Sequence, residues 1–223
     1  MIELCGPMIL YGFWRSSATW RARIALGLKG CSYQYRPINL AAGEQDLDHY
    51  RAKNPMGQVP LLELTEQDGR TVRIAQSLVI AEYLDERFAG TPLLPSDRVG
   101  RAQVRQLAET INSGIQPLAN TSVRAFVREN LGGDDNAWCA HWIARGLEAV
   151  ESMVRATSGR FAFGDAPTLA DICIVPQLYH ARRFGVDLRR FPTLTAIERA
   201  CQSLDPFSLT RPEFQIDAPG DQR

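Results

Sequence analysis

The run Ser16-Ser17-Ala18-Thr19-Trp20-Arg21-Ala22-Arg23-Ile24-Ala25-Leu26 sets two hydroxyls at the mouth of a helix, directly after a short apolar strand over 8–11. The first turn of a helix exposes unpaired backbone N–H groups and the positive end of the macrodipole. A negative charge there gains about 0.3–1 kcal/mol, and up to ~2 kcal/mol when partly buried. Such hydroxyls either cap the helix, as serine routinely does, or donate to an anion or thiolate held at its end. On local pattern both roles stay open for Ser16 and Ser17. A second junction of this kind stands at Gln76-Ser77, where Ser77 either caps the next helix or holds an anion.

The elements that must position these residues alternate over the first ninety. Trp20, Ile24 and Leu28 recur every four residues as an inward stripe on a helix running to about 29, with Gly30 as its C-terminal cap. Strands are expected over 33–37, 59–64 and 71–75, and helices over 46–53 and 77–88. Gln67-Asp68-Gly69 reads as a hairpin turn whose Asp-Gly pair suits positive backbone angles. Val59-Pro60 opens a strand, where proline is tolerated because it need not donate; trans is the default, only about 5–6% of X-Pro bonds in folded proteins being cis.

This β-α-β-α-β-β-α order is that of a thioredoxin-like domain, over 1–89. Gly90, Pro92 and Pro95 mark a linker over 90–97. The remainder, 98–223, reads as all-helical, with helices over 99–111, 138–156 and 172–184. The second of these carries its apolar face on Trp138, Trp142, Leu147, Val150 and Val154. The tail beyond Arg211 reads as mobile. Thr168-Leu169-Ala170-Asp171 has the spacing of a capping box, with Thr168 as cap and Asp171 reaching back, a matter of stability and not chemistry.

Composition excludes several function classes. The chain has 223 residues, 45% of them hydrophobic, enough for a full core, and a formal net charge of zero, so no basic field draws nucleic acid or anionic membrane. The N-terminus carries Glu3 and too brief an apolar stretch for a signal peptide, and no run reaches the ~18 apolar residues of a membrane span, so a cytoplasmic protein is expected. The cysteines at 5, 31, 139, 173 and 201 are scattered and read as free thiols, and His49, His141 and His180 have no metal or triad spacing. Thioredoxin-like dithiol chemistry needs Cys-x-x-Cys at the helix start; Ser16-Ser17-Ala18-Thr19 stands there instead, which excludes protein-disulfide exchange.

The first segment resembles the Ser-Ser-Cys-x-Trp-Arg-x-Arg-Ile-Ala-Leu signature of zeta-class glutathione transferases, the family that contains maleylacetoacetate isomerase. Ala18 stands where that family usually has cysteine. Asn54-Pro55-Met56-Gly57-Gln58-Val59-Pro60, Gln76-Ser77, Ile115-Gln116-Pro117-Leu118 and Val175-Pro176-Gln177 follow in the family's order, so the resemblance spans nearly the whole chain.

The resemblance implies a glutathione transferase fold, a homodimer, and glutathione as the source of the thiol that the protein lacks. Ser16 is the expected thiolate donor, with Ser17 as the fallback and Ala18 beside them. It also implies a cis Val59-Pro60 bond, with the Val59 backbone paired to the cysteinyl part of glutathione and Gln58 alongside. Ser77, after Gln76, is implied to hold the γ-glutamyl carboxylate. Gln45, Gln116, Asn120, Thr121 and Ser122 match further positions near the cofactor, each a weak signal alone. For a dicarboxylate substrate the matching arginines are Arg15 and Arg183, guanidinium being the better bidentate partner. The activity implied is cis-trans isomerisation of maleylacetoacetate to fumarylacetoacetate in aromatic amino-acid catabolism, with isomerisation of maleylpyruvate, or a general glutathione transferase activity on α-halo acids, as alternatives. Relatives specialised for maleylpyruvate tend to carry arginine after the asparagine matching Asn120, whereas Thr121-Ser122 stands here. A binding protein without catalysis is a further reading, to which Ala18 lends support.

Overall fold

The computed structural model describes residues 7–66 and 68–220; the readings made on Glu3, Cys5 and Gln67 lie outside the described residues. From the N-terminus the chain forms β1 (Met8–Gly12), α1 (Ser17–Leu28), β2 (Gln34–Pro37), α2 (Asp48–Arg51), β3 (Leu61–Thr65), β4 (Thr71–Ala75) and α3 (Ser77–Arg87). The sheet order is β2-β1-β3-β4, with β1 parallel to β2 and the other two pairs antiparallel. A parallel pair needs a crossover, and α1 provides it. Leu10 pairs with Leu62, and both are fully buried at the centre of this core.

Register fixes where the sheet's ends fall. Leu61, the first residue of β3, pairs with Tyr11 near the end of β1 and with Ala75 at the end of β4. The segment after β1, the one before β3 and the one after β4 therefore emerge at one end of the sheet. Gly12 lets α1 cross close by: a Cβ there would stand 2.3 Å from Thr19 Cγ2.

Several local expectations change. Helix α1 is buried almost all round, from Ser17 to Leu26, while Leu28 is only half-buried, so the stripe through Trp20, Ile24 and Leu28 describes one covered face of several. Lys29 is the C-cap, and Gly30 follows at φ +63°; Gly30 N–H reaches Gly27 O and Cys31 N–H reaches Leu26 O, closing a Schellman motif. In place of a helix over 46–53, two 3-10 turns (Leu40–Ala42 and Glu44–Asp46), parted by Gly43 at φ +75°, lead into the single turn of α2, because Leu47 takes extended backbone between Asp46 and Asp48. Strand β3 starts at Leu61, not at 59. At the hairpin, among the described residues, Gly69 takes a positive φ, +82°, and Asp68 does not.

The second compact unit is Leu93–Ser203, and residues 204–220 return to the first, so the first unit's chain is discontinuous and differs from a simple division at 90–97. The second unit contains α4 (Arg98–Asn112), α5 (Thr121–Glu129), α6 (Asp135–Val154), α7 (Leu169–Arg183) and α8 (Pro192–Gln202). On α6 the buried line is Cys139, Ile143, Leu147, Val150 and Val154, while Trp138 and Trp142 are half-buried. Indole N–H groups need a partner, and that of Trp138 donates to Leu118 O at 2.9 Å from the edge of the core.

Through residue 220 the tail is packed, not mobile. It opens with α9 (Asp205–Ser208), whose Pro206 lies against Gly27, where an added Cβ would meet Pro206 Cβ at 3.0 Å. Trp20 Nε1 donates to Thr210 Oγ1 at 3.0 Å, Arg23 Nε to Thr210 O at 3.1 Å, and Trp14 N to Asp217 Oδ2 at 2.9 Å. Prolines and polar residues suggested disorder, but Thr210 bonds to α1 and Asp217 to the turn ahead of it.

The capping box forms at the start of α7. Asp171 is fully buried; its Oδ2 accepts from Thr168 N at 2.7 Å and Thr168 Oγ1 at 2.9 Å, and its Oδ1 from Ala162 N at 2.8 Å. Burial pushes its carboxyl up to about 6 against the pull of those bonds. Its folded value lies above the unfolded one, so the unfolded chain loses the proton first and this group subtracts stability as pH rises through that window. Replacing Asp171 by Ala strands three buried donors, a loss of about 3 kcal/mol, expected to lower the melting temperature by roughly 6–12 °C in calorimetry.

Candidate active site

The turn between β1 and α1 is held from four directions. Ser16 N donates to Phe13 O at 3.0 Å and Phe13 N to Thr19 Oγ1 at 3.4 Å. Trp14 N donates to Asp217, and Arg23 Nη2 donates to Trp14 O at 3.0 Å. Ser16 is then the N-cap, with extended backbone and its Oγ accepting from Thr19 N at 3.2 Å. Capping uses a lone pair of that oxygen and leaves its hydrogen free to donate, so the two roles open for Ser16 are compatible. Ser17 is the first helical residue and is buried. The backbone N–H groups of Ser17 and Ala18 have no acceptor in the described protein. Arg15 is half-buried, with its guanidinium 4.9 Å from the Trp14 ring centroid and its Nε buried without a hydrogen-bond partner.

At the same end of the sheet, the Val59-Pro60 peptide is cis, as the family resemblance implied. Gln58 O accepts from Tyr50 Oη and from Asn54 Nδ2, both at 2.7 Å, which anchors the chain immediately before it. The main-chain N–H and C=O of Val59 bond to nothing in the described protein. Gly57, at φ +60°, passes so close to Gln45 that an added Cβ would stand 2.9 Å from Gln45 O. The Gln45 side chain donates to Asp46 Oδ2 at 2.7 Å, and its Oε1 is buried without a partner.

Gln76 completes this edge. It is the one described residue other than glycine at positive φ, +71°, a conformation of the kind that costs about 1–3 kcal/mol and persists where the surroundings enforce it. Immediately after it, Ser77 is 2% exposed and its Oγ has no partner. The N–H groups of Ser77, Leu78 and Val79 at the start of α3 are likewise without acceptors in the described protein. A buried hydroxyl and three converging N–H groups suit a carboxylate.

The second unit holds the other candidates. Gln116 Nε2 donates to Asn120 Oδ1 at 2.6 Å, and Asn120 caps α5 without a side-chain cap bond, leaving Thr121 and Ser122 exposed on its first turn. Arg183, exposed at the end of α7, places its guanidinium 5.1 Å from the Phe184 ring centroid. Arg124, which sequence reasoning passed over, stands 5.0 Å from the same ring and pairs with Asp135 at 2.6 Å. Arg23 and Asp217 were also missed as neighbours of the serine turn. A charged residue inside an otherwise apolar helical run is the signal that Arg23 offered.

Residues 6–86 match the family described as Glutathione S-transferase, N-terminal domain. A probable maleylacetoacetate isomerase 2 of Drosophila melanogaster is 44% identical, over 95% of this chain and 90% of its own length. A maleylpyruvate isomerase of Ralstonia sp is 41% identical over 95% of this chain and 100% of its own. Among solved structures, the maleylacetoacetate isomerase of Anaeromyxobacter dehalogenans, with bound GSH in its active site, superposes with a TM-score of 0.89 at 51% identity, covering 97% of this chain and 100% of that one. The same enzyme has been crystallised with dicarboxyethyl glutathione and citrate in the active site. With a small thioredoxin-like sheet, a helical remainder and similarity at this level over almost its full length, the chain belongs to the maleylacetoacetate isomerase family of zeta-class glutathione transferases.

Proposed function

We propose that the chain is a glutathione-dependent cis-trans isomerase whose substrate is maleylacetoacetate. The observation that carries this reading is the set of unsatisfied polar groups at one end of the sheet: open N–H groups on α1 and α3, the buried Ser77 Oγ, the buried Gln45 Oε1 and the unpaired main chain of Val59. A tripeptide with a thiol, a backbone and a free carboxylate satisfies such a set, so the residues present fit glutathione. Ser16, with Ser17 as second donor, holds the sulfur; Val59 pairs with the cysteinyl backbone beside Gln58 and Pro60; Gln76, Ser77 and Gln45 hold the γ-glutamyl end. Gln116, Asn120, Thr121 and Ser122 are assigned to the second unit's share of the ligands.

When bound, glutathione supplies a thiolate that adds reversibly to the cis double bond, which allows rotation and release of the trans product with no net consumption. The protein's part is electrostatic. A hydroxyl donor and a helix N-terminus favour the ionised thiol, each unit of lowered pKa corresponding to about 1.4 kcal/mol. Arg15 is assigned to the negative charge that develops on the substrate carbonyl, a contact worth more in the transition state than in the ground state. Arg183 is assigned to a substrate carboxylate. The absence of arginine after Asn120 favours maleylacetoacetate over maleylpyruvate. Ala18 in place of cysteine removes a polarizable neighbour but neither hydroxyl donor. The same reading carries a homodimer acting in the cytoplasm in the catabolism of aromatic amino acids.

Purified protein given maleylacetone and a trace of glutathione is expected to convert far more substrate than the glutathione present; loss of substrate only in proportion to glutathione supports conjugation instead and defeats the proposal. The double variant Ser16→Ala/Ser17→Ala is expected to lose on the order of a hundredfold in kcat, the scale of a missing anion donor. Ser77→Ala separates binding from stability. Its buried hydroxyl has no partner in the protein, so the melting temperature of the free variant should hold or rise, while glutathione affinity measured by calorimetry falls roughly tenfold.

A further inference from the structure

The serine turn is gripped by two charged side chains, one of them from the far end of the chain. The two peptide groups that flank the Trp14 Cα are held on opposite sides. The N–H of the first donates to Asp217 Oδ2 at 2.9 Å, and the C=O of the second accepts from Arg23 Nη2 at 3.0 Å. Arg23 is fully buried, and its Nε donates to Thr210 O, so the same guanidinium that fixes the turn also fixes the tail that delivers Asp217. Desolvation lowers the Arg23 pKa, and Tyr35, Tyr33 and Asp217 act against that shift. Tyr35 Oη donates to the Asp217 carboxylate at 3.3 Å, and its ring centroid lies 6.0 Å from the Arg23 guanidinium carbon.

This network sits two residues before Ser16. Among the described residues one main-chain bond, Ser16 N to Phe13 O, closes the turn, and the cap bond from Thr19 N orients Ser16 Oγ relative to α1 but does not fix the turn that carries Ser16. Charge-assisted bonds to both peptides around Trp14 hold the backbone that carries Ser16, since they are about twice as strong as neutral ones, one from the fully buried Arg23 and one to the half-buried Asp217. We propose that Asp217 is a positioning residue for the thiolate-activating serine: with Arg23 it clamps the Trp14 peptides and thereby sets the approach of Ser16 to the bound sulfur. This rests on the glutathione reading above. The C-terminal tail is then part of the catalytic apparatus of the first unit without itself touching cofactor or substrate.

The charge of Asp217 makes the proposal separable from a simple field effect. Removing a negative charge near a thiolate by itself favours the thiolate and moves its titration midpoint down. Loss of serine positioning moves it up. The experiment is a pH titration of the ultraviolet thiolate absorbance of glutathione bound to full-length wild type, Asp217→Ala and Asp217→Asn, alongside kcat, KM for maleylacetone, KM for glutathione and thermal melts. Asp217→Ala is expected to raise the midpoint by about one unit and lower kcat roughly tenfold, with KM for glutathione changed less than about threefold. Asp217→Asn, which keeps an oxygen acceptor for Trp14 N, is expected to recover most of both.

A folded Asp217→Ala whose midpoint is unmoved or lower overturns the clamp, even if its melting temperature drops. Should that variant not fold, Tyr35→Phe, which removes only the hydroxyl steadying the carboxylate, is expected to move the midpoint upward by a smaller amount; an unmoved midpoint there overturns the clamp as well. Lack of any thiolate signal in the wild type overturns the glutathione reading and the clamp with it, whereas a wild-type signal with an unmoved Asp217→Ala overturns the clamp alone.

Discussion

Every backbone N–H must find an acceptor, and at one end of this small sheet the protein leaves a group of them without one. The register makes that end: Leu61 opposes both Tyr11 and Ala75, so β1 and β4 finish where β3 begins, and the helices following β1 and β4 start side by side in the same region. A helix start has unpaired donors by construction, and two of them beside an extended strand entrance offer cations' work without a cation. The thioredoxin-like topology thus provides the charge complement for a peptide thiolate and carboxylate before any particular side chain is considered. At those helix starts stand Ser16 and Ser17 on one side and Ser77 on the other, the side chains to which the proposed function gives the thiolate and the carboxylate.

Holding those donors open has a structural cost that is visible elsewhere. Gln76 sits in the left-handed region without the freedom of glycine, Ser77 keeps a buried hydroxyl unpaired, and Gly12 must remain side-chain-free so that Thr19 can lie against β1. What offsets these is burial of α1 on nearly every side, by the sheet, by α3 and by the returning tail. That burial includes Arg21 and Arg23, both fully enclosed. Burying a guanidinium is costly unless its donors meet acceptors; Arg23 meets two main-chain carbonyls through Nη2 and Nε, Trp14 O and Thr210 O, while its Nη1 is buried without a partner. A fully buried charge of the helix thus also ties its entrance to the end of the chain.

Much of this was legible from sequence and some was not, for physical reasons. The strand and helix order of the first unit, the two serine junctions and the Thr168–Asp171 cap follow from local chemistry, and local chemistry is what the sequence displays. The capping box even announced that α7 starts at Leu169, although periodicity alone suggested 172. Helices α5, α8 and α9 escaped because short segments with ordinary polar residues take their stability from tertiary contacts, not from pattern. The stripe on α1 was misjudged for the same reason: a helix covered on several sides has no single period to read. The cis state of Val59-Pro60 runs against local odds and came only through family resemblance.

The tail shows the limit most clearly. Pro212, Pro219 and Gly220 among polar residues have the composition of a free end, yet Pro212 and Ala218 are buried and Asp217 holds the backbone of Trp14 across some two hundred positions of sequence. Nothing local marks Asp217, because its partner is a main-chain N–H, and every non-proline residue carries one of those. Arg23 is different: its charge within an apolar helix demands a compensating environment, and that demand was readable even though its answer was not. A buried charge near a helix entrance therefore says that acceptors for it must exist, and here the two it recruits, Trp14 O and Thr210 O, tie the turn ahead of α1 to the chain's far end.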